Sequence, residues 1–251
     1  MKDLKEKEIL NYIETKEYAD TDEIAEKLFI SPSTVRRKLA ALTEKGLIVR
    51  THGGAKIAEH NNTCPTFTFR AHQNPTEKKL IAKLAASLVK DGNLVFVDGS
   101  TSAFFVAEAL SGLKNVRILT NGIDTLSLLS QAGVLAYSTG GKISDTNHSV
   151  LIGQSAIDTV KNFYADVCFF SAQSVLENGD IFDCYEEENA LRKAMIAQSE
   201  KRVFLCDETK FYTKSRYRLC SLSEIDFMVT NTDVKNYFNG KFSNKILSTE
   251  K

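Results

Sequence analysis

Four short stretches in the later part of the chain share one chemistry. Asp98-Gly99-Ser100-Thr101-Ser102 ends the run "VFVDGSTS", and Thr120-Asn121-Gly122 ends "ILTNG". "AYSTGGK" supplies Gly140-Gly141-Lys142, and "FLCDETK" supplies Asp207-Glu208-Thr209-Lys210. Each is a turn of small, hydroxyl-bearing or glycine residues set directly after an apolar run, and the first two stand just before helical patterns. Free backbone N–H groups and the helix dipole favour negative charge at such places, so turns of this kind can converge on one anion. Lys142 or Lys210 would add compensating positive charge. A Ser or Thr before a helix is also the ordinary N-cap, and any one turn read alone means little more than that. Four of them together predict a small phosphorylated ligand held by Asp98, Gly99, Ser100, Thr101, Ser102, Thr120, Asn121, Gly140, Gly141, Asp207 and Lys210.

The elements that must position these turns alternate. Apolar strand patterns fall near Leu94–Asp98, Val116–Leu119, Val134–Ser138, Val167–Ser171, Val203–Cys206 and Phe227–Val229. Helical patterns fall near Ala103–Leu110, Ile123–Ser130, Ala156–Phe163 and Glu187–Gln198. A further helix precedes them, with Leu80, Ile81, Leu84, Ala85, Leu88 and Val89 on one face. Such alternation predicts a mostly parallel sheet with helices on both faces. Sheets of that type bind ligands beyond the carboxyl ends of their strands, which is where all four turns lie.

A second chemistry sits near the start. The first thirty residues carry five lysines against nine acids, whereas residues 31–56 crowd in Arg36, Arg37, Lys38, Lys45, Arg50 and Lys56 with Glu44 as the only acid. The chain as a whole balances 32 Lys+Arg against 32 Asp+Glu. Local asymmetry in a neutral chain points to a surface that meets an anion.

The first 58 residues read as three helices and a hairpin. Leu4, Ile9, Tyr12 and Ile13 lie along helix one; Thr21 is the expected N-cap of helix two, with Ile24, Ala25 and Leu28 inward. Ser31 caps a third helix and Pro32 takes its first turn, where a missing N–H costs nothing. Val35, Leu39 and Leu42 form its buried stripe, and Gly46 is its expected left-handed end. "LIVR" and "AKIA" make two strands joined through "THGG". This is a winged helix-turn-helix, and it predicts a duplex DNA contact through Ser31, Ser33, Thr34, Arg36, Arg37 and Lys38 of the third helix and Arg50, Thr51, His52 and Gly53 of the wing. Residues 59–74, "EHNNTCPTFTFRAHQN", show no clear period and read as a linker. Residues 75–251 form the second domain.

Composition excludes other classes. Hydrophobic residues at 43% and charged residues at 25% suit a globular chain with a sizeable core. There is no signal-peptide pattern and no apolar run of ~20 residues, so a cytoplasmic protein with no membrane partner is expected. Cys64, Cys168, Cys184, Cys206 and Cys220 show no Cys-x-x-Cys pairing, which argues against a disulfide framework or a metal site. No cofactor is expected.

The first of these motifs, Ser31-x-x-Thr34-Val35-Arg36-Arg37-x-Leu39 followed by Gly46-Leu47-Ile48-Val49-Arg50-Thr51-His52-Gly53-Gly54-Ala55, closely resembles the DeoR family of bacterial transcription regulators. The family pattern normally has an acid where Lys38 stands and an arginine where Lys5 stands. Phe67, Phe69, Arg70, Asn74, Glu77 and Lys78 loosely match its junction, and the Asp-Gly-Ser-Thr-Ser turn, Thr120-Asn121, Gly140-Gly141, the "ENALRKAMI" helix and Asp207-x-x-Lys210 follow in its order. The resemblance covers about residues 4 to 230. It implies a sensor domain sharing the fold of ribose-phosphate isomerases and coenzyme A transferases and binding a sugar phosphate. It also adds Arg192 to the ligand set, at a position where the family has lysine. Ser171-Ala172-Gln173-Ser174 departs from a turn that usually contains glycine.

Two functions fit. The favoured one is a repressor of a sugar-metabolism operon, released from operator DNA by a phosphorylated sugar and acting as a homodimer or larger oligomer. The alternative is an active sugar-phosphate isomerase or deaminase fused to a DNA-binding module. Such chemistry needs a carboxylate base over the sugar and often a histidine. Asp98, Asp207, Glu187 and Glu188 are the available acids, and only His148 lies in the region.

Overall fold

The computed structural model describes residues 2–16, 18–44, 47–51, 53–57, 66–211, 213, 215–234 and 236–249. The chain divides into two compact units, Met1–Gln73 and Asn74–Lys251.

The first unit contains α1 (Lys2–Lys16), β1 (Tyr18–Asp20), α2 (Thr21–Lys27), α3 (Pro32–Glu44), β2 (Ile48–Arg50), β3 (Gly54–Ile57) and α4 (Phe67–His72). Ile9, Ile13, Ile24, Val35, Leu39 and Leu42 close one core over the sheet residues Ile48 and Ala55. The expected stripe of α3 is therefore its buried face. Strand β1 was not expected, because three residues are too few to show an alternation. It exists because β3 lies between it and β2, pairing Ala19 with Ala55 and Val49 with Lys56. With β1 in place the cap of α2 moves back by one residue from Thr21. Asp20 is the N-cap, in a capping box with Glu23.

The turn from α2 to α3 holds a strained residue. Ile30 N–H donates to Ala25 O and Phe29 N–H to Glu26 O, the paired bonds of a Schellman end. That end needs a left-handed residue, normally glycine, and here Phe29 adopts φ +51. Its ring gains nothing in return within this unit, since Phe29 is 95% exposed.

Part of the expected linker is helical. Thr66 caps α4 through Phe69 N–H, and Phe69 joins the core of the first unit. Six residues are too short for a periodic signal, and only packing reveals them. Gly46, Cys64 and the linker stretch 59–65 lie outside the described residues.

The second unit opens with α5 (Pro75–Ala86), β4 (Leu94–Val97), α6 (Thr101–Leu110), β5 (Arg117–Thr120), α7 (Ile123–Gln131), β6 (Leu135–Ser138), β7 (Lys142–Ile143), β8 (Leu151–Ile152) and α8 (Gln154–Lys161). It continues with β9 (Ala165–Phe170), β10 (Ser174–Val175), β11 (Asp180–Asp183), α9 (Glu186–Ala197), β12 (Ser199–Cys206), β13 (Tyr217–Ser221), β14 (Phe227–Thr230) and β15 (Ile246–Ser248). Seven strands form one parallel sheet in the order β15-β14-β12-β9-β4-β5-β6. Alternate residues of each strand feed separate cores. Phe96, Cys168, Phe170 and Phe204 pack on the side of α8 and α9, and Val95, Val97, Phe169 and Val203 on the side of α5, α6 and α7.

The six expected strands are all present, and β15 adds a seventh. The hairpin β7–β8 and the antiparallel sheet β10-β11-β13 were also unforeseen. Leu80, expected on the inner face of α5, is half exposed, and Lys78 lies buried in phase with Ile81, Ala82 and Ala85.

Candidate functional site

The strand order places a switch point between β4 and β9. From β4 the chain winds outward through β5 and β6, then crosses back to begin again at β9 on the other side. A crevice opens beyond the carboxyl ends of strands at such a point. Asp98 follows β4 and Ser171 follows β9, so the predicted turns straddle it.

Asp98 is buried and fully engaged. One oxygen accepts Ser100 N–H at 3.1 Å; the other accepts Ser171 N–H at 3.3 Å and Arg192 Nε–H at 2.8 Å. Arg192 is the hub of a larger cluster. It also donates to Asp183 at 2.6 Å, to Asn189 at 3.0 Å and to Glu188 at 3.2 Å. Burial works against its charge, but Asp183, Asp98 and Glu188 outweigh that and raise its pKa. Glu188 in turn accepts from Asn147 at 3.0 Å. The guanidinium thus ties β4, β11, α9 and the loop before β8 together. Its donors point at three carboxylates and the Asn189 amide oxygen, an arrangement that holds the Asp98 turn.

The Ser100–Ser102 turn opens α6. Ser100 is its N-cap, accepting Ala103 N–H at 3.2 Å, and Thr101 and Ser102 are buried. The N-terminus of α7 lies against it. A Cβ on Gly99 would fall 2.3 Å from Val150 Cγ1 and 3.4 Å from Gly122 Cα, and one on Gly122 would fall 2.9 Å from Thr125 Oγ1. Glycine at both places lets the two helix starts approach, although the Ser100, Ala103, Gly122 and Ile123 amides already donate to Asp98, the Ser100 hydroxyl, the Thr120 hydroxyl and Ser149 O. Thr120 accepts Gly122 N–H at 3.0 Å. Asn121 donates to Leu151 O at 3.0 Å, which fixes its amide, while Asn121 Oδ1 and Thr125 Oγ1 are buried with no hydrogen-bond partner. Buried polar atoms without partners are rare and call for an explanation.

The other two turns flank this pair. Asp207 is buried and accepts from Thr209 N–H at 3.1 Å and from its hydroxyl, with Lys210 Nζ 3.9 Å away. Burial alone would raise Asp207, but Lys210, the Thr209 hydrogen bonds and Lys78 together lower it below the usual aspartate range. Lys210 donates to Ala172 O at 2.7 Å, joining the turn after β12 to the Ser171–Ser174 segment. Gly140 and Gly141 are exposed at φ +63 and +99. A Cβ on Gly141 would meet Ile152 O at 2.3 Å, so this turn is shaped by the β7–β8 hairpin beside it. Lys142 points outward to Asp145 and Glu187. His148 is exposed.

Sequence reasoning gave Lys78 no place in the site and overlooked Asp183 and Asn189. A signal existed for two of the buried charges. Lys78 and Arg192 each stand in phase with the apolar stripe of their own helix, where a charge is costly unless something holds it.

Cys168, Cys206 and Cys220 are buried core thiols, pushed up by burial, Cys220 to about 12. Among the described residues no group of His, Cys, Asp or Glu has the arrangement to hold a metal ion. No helix among them is long and apolar enough to cross a membrane.

In the first unit, Ser31, Ser33, Arg36 and Arg37 are exposed on α3 and Thr34 half-buried, with the Ser31 hydroxyl 2.9 Å from those of Ser33 and Thr34. No ion pair among the described residues holds Arg36 or Arg37. Lys38 differs. Its ammonium sits 2.7 Å from Glu6 of α1 in a largely buried ion pair. An acid on α1 and a base on α3 reverse the polarity that the DeoR resemblance implies between these helices. Arg50 is exposed on β2, and Thr51 N–H donates to Gly54 O to close the wing turn. Gly53 has φ +88, and a Cβ on Gly54 would meet Ala19 O of β1 at 2.2 Å. The paired glycines therefore hold the wing against β1, which sequence reasoning did not foresee. His52 lies outside the described residues.

Comparison with known proteins agrees with both halves. Residues 5–61 match the family described as DeoR-like helix-turn-helix domain, and residues 73–232 match the DeoR C terminal sensor domain. The HTH-type transcriptional regulator GolR of Listeria innocua is 30% identical over 95% of this chain and 94% of its own. The HTH-type transcriptional repressor GlcR of Bacillus subtilis is 31% identical over 89% and 86%. The glycerol-3-phosphate regulon repressor of Escherichia coli is 27% identical over 89% and 88%. Among solved structures, ribose 5-phosphate isomerase A of Methanocaldococcus jannaschii gives a partial likeness, 19% identical over 57% of this chain and 56% of its own with a TM-score of 0.43. With a DNA-binding module of one type and a sensor unit of the matching type in a single chain, this protein belongs to the DeoR family of transcriptional regulators.

Proposed function

We propose that the protein is a repressor that leaves its operator when its second unit binds a small phosphorylated sugar. The observation that carries the ligand half is the meeting of the α6 and α7 N-termini at Gly99 and Gly122, beside an Asn121 carbonyl oxygen with no partner. Paired helix starts favour a dianion, and Asn121 Oδ1, an acceptor only, asks for a hydroxyl on the same ligand. Thr101, Ser102 and the Ser100 hydroxyl would hold the phosphate. Asp207 and Lys210, with the Gly140–Gly141 turn, would border the sugar. Arg192 and Asp98 would hold the turn in shape.

Family membership and the exposed Arg36–Arg37 pair support the DNA half. Arg36 and Arg37 would contact base edges and phosphates in the major groove, with Ser31, Ser33 and Thr34 at the helix start and Arg50 on the backbone. Lys38, held by Glu6, would set the angle of α3. Two such modules on a homodimer would read two half-sites. Relatives named as repressors support repression over activation.

An enzymatic reading finds less support. Asp98 is spent on Arg192, Ser100 and Ser171, and exposed His148 has nothing in the described site that orients it as a base.

The test is a fluorescence titration of operator DNA with and without sugar phosphates found by thermal shift. Effector should weaken DNA binding by about 5–150-fold, and DNA should weaken effector binding by the same factor. Thr101→Val should keep effector-free DNA binding and lose the response. A variant that responds like the parent removes the phosphate from this turn, and turnover of ribose 5-phosphate by pure protein would replace the repressor reading with the enzymatic one.

A further inference from the structure

Phe29 is unfavourable on two counts. It holds a left-handed backbone at φ +51 in the turn between α2 and α3, and its ring is 95% exposed. An exposed phenylalanine alone is ordinary, and so is a glycine or asparagine at positive φ. A bulky side chain in that conformation is an outlier, and such outliers cluster at binding and switch regions. Glycine in its place would remove the strain and the exposed apolar surface together.

The surroundings of the ring decide what it meets. Leu28 and Ile30 on either side pack on the core of the first unit, so among the large apolar side chains of this turn only the Phe29 ring is exposed. One ring is far less than the core of a protein interface requires. It matches the scale on which duplex DNA offers apolar groups, thymine methyls in the major groove and deoxyribose carbons along its edge. Exposed Lys27 precedes Phe29, and exposed Ser31, Pro32 and Ser33 lead from it into Arg36 and Arg37. Three residues of extended chain span at most about 11 Å, so Phe29 lies within that distance of Pro32, the first residue of α3. In helix-turn-helix domains the second helix of the pair enters the major groove with its N-terminal residues at base edges. That groove is about 12 Å wide. With α3 seated in this way, Phe29 stands at the edge of the same groove.

We infer that Phe29 is a DNA-contacting residue, its ring packed on an apolar group of the operator beside the start of α3, a thymine methyl or a deoxyribose. The inference rests on the DNA half of the reading above and adds to it a contact of a different kind. Arg36, Arg37 and Arg50 would bind through charge. Each phosphate they neutralise releases counterions, so their share of the affinity weakens as salt rises. An aromatic ring releases none. The share that Phe29 supplies is hydrophobic and is kept as salt rises. The first unit thus carries a less stable turn and gains a grip on DNA that salt does not loosen.

The test uses the full chain and a duplex that the parent selects from a random library. Phe29→Gly and Phe29→Asn both suit a left-handed turn, and both remove the ring. Each should weaken binding to this duplex by roughly tenfold or more, the scale of one buried phenylalanine, while thermal melts show no loss of stability. Plots of log Kd against log salt should stay parallel to the parent's, whereas Arg37→Ala should flatten the slope. Replacing each thymine in turn by deoxyuridine identifies the apolar group. One position that costs the parent about fourfold, and the Phe29→Gly variant nothing, marks a thymine methyl; if no position does so, the group is a deoxyribose. Unchanged affinity of both variants, a changed salt slope, or a loss of stability in both would each overturn the inference and leave the repressor reading intact. A ring that instead meets another protein shows as unchanged affinity. A parent that selects no duplex overturns the repressor reading, and this inference with it.

Discussion

Replacing Arg192 by alanine removes one cation and leaves three carboxylates that depend on it. Asp98 and Asp183 stand 2.8 and 2.6 Å from its nitrogens and Glu188 stands 3.2 Å away, all four groups largely buried. Deleting one partner of a buried ion pair typically costs about 3–5 kcal/mol, because the remaining charge stays dehydrated and unpaired. Three stranded acids place Arg192→Ala at the upper part of that range. In a unit of this size about 1 kcal/mol corresponds to roughly 2–4 °C, so the melting temperature of the second unit should fall by about 8–16 °C or more. Urea unfolding read by tyrosine fluorescence and circular dichroism would give the free energy directly. Arg192→Lys should cost clearly less, since it keeps the charge but loses the fork that reaches several acceptors at once. Adding Asp183→Asn to Arg192→Ala should recover part of the loss, because it removes one of the stranded charges. A cost below about 1 kcal/mol for Arg192→Ala, or no recovery in the double variant, would show that the acids rehydrate and that the cluster does not clamp the Asp98 turn.

Three further outcomes follow from single contacts. Phe29→Gly should stabilise the first unit by about 0.5–1 kcal/mol in thermal melts, since glycine relieves the positive φ and the exposed ring has no packing to lose; a loss of stability would show that the ring is used. Lys38→Ala should destabilise the first unit by about 1–3 kcal/mol by removing the largely buried Lys38–Glu6 ion pair, and Glu6→Lys with Lys38→Glu should restore most of it; strictly additive losses would deny the pair. Asp207, held below its unfolded-state pKa, stabilises the folded protein at neutral pH, and that contribution is lost as the pH falls below about 4 through the folded value. Asp207→Asn should therefore lower stability at pH 7 and flatten its decline in acid; an unchanged acid slope would refute the assignment.

Much of this protein was legible in one dimension because its signals are local. A run such as "NLVFV" declares a buried strand, the spacing of Val35, Leu39 and Leu42 declares a helix face, and glycine or hydroxyl residues directly after apolar runs mark strand ends. From these came the six main strands, the helices between them, the helix-turn-helix and the turns that the sheet lines up. The exposed placement of Arg36 and Arg37 followed from the same periodicity. What the residues could not declare was anything decided by a partner far away in sequence. Strand β1 is a strand only because β3 lies beside it, and its position moved the α2 cap from Thr21 to Asp20. Helix α4 emerged from a presumed linker because Phe69 finds the core of the first unit. Lys38 reads as one more surface cation until α1 brings Glu6 to it. Arg192 reads as a free guanidinium until β4, β11 and α9 deliver three carboxylates from positions as much as 94 residues away. Sequence periodicity reports which face of an element is buried. Which charges meet, and so whether a cation is available to a ligand or already neutralised, is set by the crossing of elements, and only the tertiary structure decides that.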